Sequence, residues 1–404
     1  EDGIRDVAVT GVQTCALPIY LGAGTGPGLN LTTAQMNRIS ATSLNISSTG
    51  GLTVSGALDT AGGGALATVA NLSLSGVTID NSGGLISLPS GAVTLAADDM
   101  ALGQSVNGTL VTLQPLSSLR TINLGTNAAG TLGLTAAELN AITATTALVV
   151  DGTSVFAPIS VSAPIAPSGT GTLALRTSNT VTQTAGATIT VPSLRVQGST
   201  GVTLTQPNNV ATLAGSSSGT FSFTDAAALT VGSVNGQNGI SSSTLILNAD
   251  SMTFTQTLSA STANLLPVTA GRGFDLGTKV GGALSFDAAD FGNLSASNIN
   301  IGGATFGPIA VTAAMARPGS NVNLIADSMT INAALTANSV SVRPATAGTT
   351  IDLGTRSAGT LGLTATEVGN LNGAGSLIVG DFSNTASVVI SAPVTHTGAT
   401  SVRS

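Results

Sequence analysis

The side chains able to do chemistry are few, and their spacing sets what they could do. His396 is the single histidine and stands in Thr395-His396-Thr397 with no acid beside it. Lys279 is the single lysine. The closest acidic pairs are Asp98-Asp99 and Asp287-Ala288-Ala289-Asp290. Cleaving a glycosidic bond needs two carboxylates converging on it, and sugar lyases of elongated β proteins add lysine or arginine. One lysine and one histidine leave those sites short of partners, so no catalytic residue is assigned. Zinc needs several His or Cys ligands, and the chain has one of each. In Gly22-Ala23-Gly24-Thr25-Gly26-Pro27-Gly28 the proline spoils a dinucleotide fingerprint, and no lysine follows to hold a phosphate. Gly281-Gly282 reaches Asp287 at the wrong offset for a calcium nonapeptide. No cofactor or metal site is therefore expected.

Three other aspartates recur. Asp98, Asp250 and Asp327 each open an Ala-Asp-[Asp/Ser]-Met sequence. Each is followed at a fixed distance by a proline (Pro115, Pro267, Pro344) and then by Leu-Gly (Leu124, Leu276, Leu353). They could be calcium ligands, but they stand apart from other carboxylates except where Asp99 adjoins Asp98. An aspartate capping its own turn is the expected role. The block they open, residues 97–142, 249–294 and 326–371, aligns without a gap, and weaker copies start at Leu21 and Leu213. A long block repeated in register marks a repeat architecture.

Composition narrows the architecture. The chain has 404 residues, of which 42% are apolar, 7% charged and 2% aromatic. Disordered chains are poor in apolar residues and rich in charge, the reverse of this one. The apolar residues are mainly aliphatic, which suits a thin core of stacked layers. A formal charge of −7 with thinly spread arginines excludes a nucleic-acid surface. There is no apolar run long enough for a membrane-spanning helix.

Residues 1–19 share nothing with the repeat. Their stretch Val9 to Ile19 resembles the translated read of a sequencing adapter and is taken as a non-native segment. Cys15 then says nothing about redox compartment. Residues 20–404 form the repeat region, read as a fragment open at both ends.

Within it, short alternating runs such as Leu72-x-Leu74, Val93-x-Leu95, Leu245-x-Leu247 and Val340-x-Val342 read as strands with one inward face. They lie too close together for helices of normal length between them. The fold expected is all-β, a right-handed parallel β-helix of about 20 to 25 residues per coil. Inside the block, Thr135-x-x-Glu138, Thr364-x-x-Glu367, Thr32-x-x-Gln35 and the weaker Asp287-x-x-Asp290 have the spacing of a capping box. Apolar residues at i and i+3 follow each one, as in Leu139/Ile142 and Val368/Leu371. A single helical turn at a corner is expected there. The Leu213 copy has no box and should turn differently. The prolines should end strands, and Gly125, Gly277 and Gly354 should supply positive-φ turns.

The segments Ile351-Asp352-Leu353-Gly354-Thr355, Phe274-Asp275-Leu276-Gly277-Thr278 and Val202 to Val210 resemble the repeat region of filamentous haemagglutinin-like and autotransporter-type surface adhesins of Gram-negative bacteria. The resemblance implies a secreted, non-catalytic stalk at the cell surface. Its partners would be a receptor or glycan on a host or neighbouring cell, and an outer-membrane transporter during export. Open ends imply end-to-end self-association. Two other functions are open: a carbohydrate-active enzyme, and an ice or crystal binder prompted by Thr180-x-Thr182-x-Thr184.

Overall fold

The structure is a computed structural model that describes residues 17–23, 25–60, 66–67, 69–381 and 387–403. Most of the segment read as non-native, residues 1–16, lies outside the described residues. Pro18 and Ile19 belong to the first stacked strands, Ile19–Gly22 pairing with Leu29–Thr32 and the Leu29 N–H donating to the Pro18 carbonyl.

The chain is all-β, and its long ladders are parallel. Each strand pairs with the stretch of chain one rung further on. Val93 lies against Val111, Val111 against Leu148, Leu148 against Leu173 and Leu173 against Leu194. Because the pairing is in register, like residues stack. Those alternating positions form aliphatic columns at or near zero exposure. Outward positions in the same strands are mixed: Thr94 and Thr112 are polar, whereas Ala147, Val149 and Ala174 form a small apolar cluster of their own. Parallel stacking of buried strands explains how so little charge suffices: each rung covers the apolar face of the last, and burial supplies the driving force. The largest strand network closes on itself. Long strands turn from one face to the next, as Ile86–Ala96 does in pairing with both Leu58–Asp59 and Asn71–Ser75.

Rung length departs from the expected 20 to 25 residues in a regular way. Most pairings skip 18 to 28 residues, from Val93↔Val111 to Ser43↔Asn71. Four rungs skip 33 to 37, as in Ile19↔Leu52, Ile122↔Ile159, Phe274↔Ile309 and Ile351↔Val388. The long rungs hold an extra strand. Ile122–Gly125 pairs in parallel with Leu132–Thr135, only ten residues on, and Gly273–Leu276 with Ala283–Phe286 and Ile351–Gly354 with Leu361–Thr364 do the same. Parallel neighbours normally need a crossover of a dozen residues or more. Here six suffice, because the Leu-Gly glycine turns the chain out of the sheet at once. Gly125, Gly277 and Gly354 have φ of 101°, 147° and 112°, as expected.

A short helix follows each extra strand: Thr33–Met36, Ala136–Asn140, Ala288–Gly292 and Ala365–Gly369. All four boxes are complete, the weak aspartate version included. In the second, the Thr135 N–H donates to Glu138 Oε2 at 2.8 Å and the Glu138 N–H to Thr135 Oγ1 at 3.3 Å. Met36, Leu139, Phe291 and Val368 plug the core from these turns. Strands end at Gln114, Leu266 and Arg343, each one residue before its proline.

The Leu213 copy turns differently, as its missing box required. Gly201–Ser216 runs as one 16-residue strand. Asp225, fully buried, replaces the helix, accepting from the Val210 and Ala227 N–H groups. Burial pushes its carboxyl up from the ordinary value, and these two bonds offset only part of that. Beneath it Asn208, also fully buried, accepts from the Ile189 N–H and donates to the Leu204 and Thr224 carbonyls. At this seam the stack shifts by one face. Val111 precedes the long rung of Ile122 in the column through Leu148 and Leu194, whereas Ala263 precedes that of Phe274 in the column through Leu245 and Phe221.

Candidate functional site

The recurring block is the place to look for chemistry, and most of its carboxylates are engaged. Asp98 does not cap its own turn, contrary to expectation. Its Oδ1 accepts from the Leu116 and Ser117 N–H groups at 3.0 and 2.8 Å, and its Oδ2 from the Ser117 hydroxyl. Asp250 makes the same bonds to Val268 and Thr269, and Asp327 to Ala345 and Thr346. Each aspartate thus holds the loop behind the proline one rung further on. Burial works to raise these carboxyls. The hydroxyl and amide donors outweigh it and hold all three below the usual carboxylate range, with Arg120 and Arg272 aiding the first two.

A second set of carboxylates sits one rung away. The boxes' glutamates and aspartate do more than cap. The oxygen of Glu367 not engaged with Thr364 accepts the buried Ile331 N–H at 3.1 Å, and Asn370 Nδ2 donates to the Ile331 carbonyl at 2.6 Å. Asp290 and Asn293 hold Phe254 in the same two-sided way, and Glu138 accepts from the Leu102 N–H. The helical turn therefore stands in for a strand, satisfying the edge below it. The sequence signal for this was the asparagine closing three of the turns, Asn37, Asn293 and Asn370, which a capping box alone does not explain.

The residue before Leu-Gly was not singled out by sequence. Asp275 accepts from the Thr278 and Val280 N–H groups and from Thr312. Asp352 accepts from the Ser357 and Thr355 hydroxyls and from Ser391. The Ser357 hydroxyl, then that of Ser391, lowers the Asp352 carboxyl to about 2. Asn123 replaces them in the first copy, donating to Thr126. These side chains shape the six-residue crossover and tie it to the following rung.

The two acidic pairs fare differently. Asp99 is exposed on its strand while Asp98 is engaged in the loop. Asp287 and Asp290 do come together, with Lys279 Nζ at 2.8 Å from Asp290 and 3.6 Å from Asp287. Burial opposes the Lys279 charge, but Asp290 and then Asp287 raise its pKa. Since Asp290 also receives Phe254, this trio reads as a clasp on the helical turn. Arg356 pairs with Glu367 at the equivalent place. His396 bonds the Leu371 carbonyl and receives the Gly398 N–H. Among the described residues no cluster of three or more His, Cys, Asp or Glu is placed to hold a metal. No described helix is long and apolar enough to cross a membrane.

Thr182 stacks on Thr203, and Thr220 on Thr244 and Thr262. The latter column passes into Asn298 and Asn321, with Asn264, Asn300 and Asn323 beside it. In those rungs the amides bond along the stack, Asn300 to Asn264 at 2.8 Å and Asn323 to Asn300 at 2.7 Å. It is a mixed polar strip rather than a threonine grid.

The molecule is thus an all-β protein of stacked parallel strands whose repeated acids are structural. Comparison with known proteins adds no relative: no family model matches the chain, nor does any curated protein or solved structure.

Proposed function

We propose that the chain winds as a right-handed parallel β-helix and serves as the non-catalytic stalk of a secreted bacterial surface adhesin. Parallel pairing with the next rung around three faces is the pattern that a continuous coil produces, and parallel crossovers are almost always right-handed. The observation that carries the functional reading is the occupation of the block's carboxylates. Asp98, Asp250 and Asp327 each receive two or more donors from the next rung, and Asp352 and Glu367 each join donors of their own turn to one from a neighbouring rung. A carboxylate so held supplies register, not acid or base catalysis. An aliphatic core with few charges also suits a chain that is exported unfolded and builds up rung by rung outside.

The binding partner would be a receptor or glycan on a host or neighbouring cell, and export would use an outer-membrane transporter. Expression in a Gram-negative host with its transporter tests this. The chain should be shaved from intact cells by protease and should raise their adherence to epithelial cells or matrix. Retention inside the cell, or surface display without any gain in adherence, refutes the stalk reading. Release of reducing sugar from polysaccharides by the purified chain refutes the non-catalytic part.

A further inference from the structure

One groove gathers an arginine without a carboxylate partner and several free hydroxyls. It lies where the strands Leu258–Leu266, Leu294–Gly302 and Met315–Ile325 stack, beside the register shift between Arg317 and Asn321. Arg317 lies half-buried in it, and the hydroxyls of Ser259, Ser295, Ser297 and Ser320 line it over an alanine floor. The Arg317 guanidinium donates from Nη1 to the Gly292 carbonyl at 2.9 Å, at the end of a helical turn. Its Nε is buried without an acceptor. Among the described residues, no acid pairs with Arg317, and none of the four serine hydroxyls has a protein partner. Burial alone lowers the arginine's pKa, with no carboxylate pulling the other way.

This inverts the pattern of the repeated block. There Asp98, Asp250, Asp327 and the box carboxylates are held by their neighbours. Here Arg317 has a carbonyl partner but no carboxylate, and four hydroxyls beside it have no protein partner. The outer end of the guanidinium, Nη2 with the second hydrogen of Nη1, is a fork that can receive a carboxylate through two parallel bonds. Hydroxyls on both sides of such a fork match a carboxylate carried on a polyhydroxylated ring.

We infer that this groove binds a uronic-acid unit of an acidic polysaccharide, its carboxylate on the Nη1/Nη2 end of Arg317 and its hydroxyls on Ser259, Ser295, Ser297 and Ser320. The site does not depend on the stalk reading, since it would bind the sugar in any protein of this fold.

The test is calorimetric titration of the full chain with a glucuronate oligosaccharide, its carboxyl-reduced neutral form, and sodium acetate. The acidic oligosaccharide should bind at least tenfold more tightly than either control, because one charge-assisted pair is at stake. R317Q should abolish the difference, and R317K should lose most of it by breaking the fork while keeping the charge. S295A with S297A should weaken the acidic oligosaccharide several-fold and leave acetate unchanged. Thermal melts by circular dichroism confirm that the variants are folded. Equal binding of the neutral form overturns the inference, as does undiminished binding by folded R317K. Acetate binding as tightly as the oligosaccharide would mark an adventitious anion only and overturn the sugar assignment.

Discussion

Replacing Glu367 with alanine gives a sharp test of how the helical turn joins two rungs. Glu367 is 5% exposed and makes two kinds of bond. Oε2 accepts from the Thr364 N–H and hydroxyl, both at 2.9 Å. Oε1 accepts from the Ile331 N–H in the rung below and pairs with Arg356. Losing the box should cost about 1 kcal/mol. Leaving the Ile331 N–H buried without an acceptor should cost about 1–3 kcal/mol. The ion pair adds little, since Arg356 is 42% exposed. The total is about 2–4 kcal/mol, concentrated at one rung boundary. Stability in stacked repeats is local, so a single melting temperature would blur it. Native-state hydrogen exchange at the Ile331 amide reads it directly, with faster exchange by roughly 30- to 1000-fold at 2–4 kcal/mol. Amides in remote rungs such as Leu148 should keep their rates. Unchanged protection at Ile331 would refute the claim that the box carboxylate replaces a strand partner.

Further outcomes follow from the same contacts. Gly277→Ala should destabilise by roughly 2 kcal/mol or more, read by urea titration, because φ is 147° and the new Cβ would lie 2.2 Å from the Ala313 backbone nitrogen. Acid should weaken the long rungs. Asp352 sits near 2 when folded, against 3.8 for the ordinary group, so its contribution is complete above about 4 and disappears as pH falls through 2. Asp98, Asp250 and Asp327 act with the same sign, and D352N should flatten the acid limb of a stability–pH curve. The isolated chain should associate end to end: Ile390 and Val402 continue the inward columns of Leu353 and Val379 yet are 63% and 50% exposed. Clean monomers at high concentration by light scattering would contradict this.

What the sequence disclosed and what it withheld divide by range. The capping boxes were legible because donor and acceptor lie three residues apart, and the prolines because a missing N–H acts where it stands. Even the absent box at Thr224 was readable as a different corner. Asp98 was misjudged for the opposite reason, since its partners lie 18 and 19 residues on and no local rule connects them. The extra strand escaped notice because Leu132-x-Leu134 and Ile122-x-Leu124 each look like ordinary strands, and only the ladder shows them adjacent. The Arg317 groove is a product of register, bringing Ser259, Ser295 and Arg317 together from three separate rungs.

The direction of these bonds also bears on the order in which the molecule can be made. Asp327 waits for a loop that follows it by about one rung, Asp352 for Ser391 after it, and Glu367 reaches back to Ile331. A newly formed end holds groups whose partners have not yet been added, acceptors at Asp327 and Asp352 and a donor at Ile331, while the rungs behind it are already sealed. For a polypeptide emerging through a pore, the free energy released at each completed rung would draw the chain outward and hinder its return.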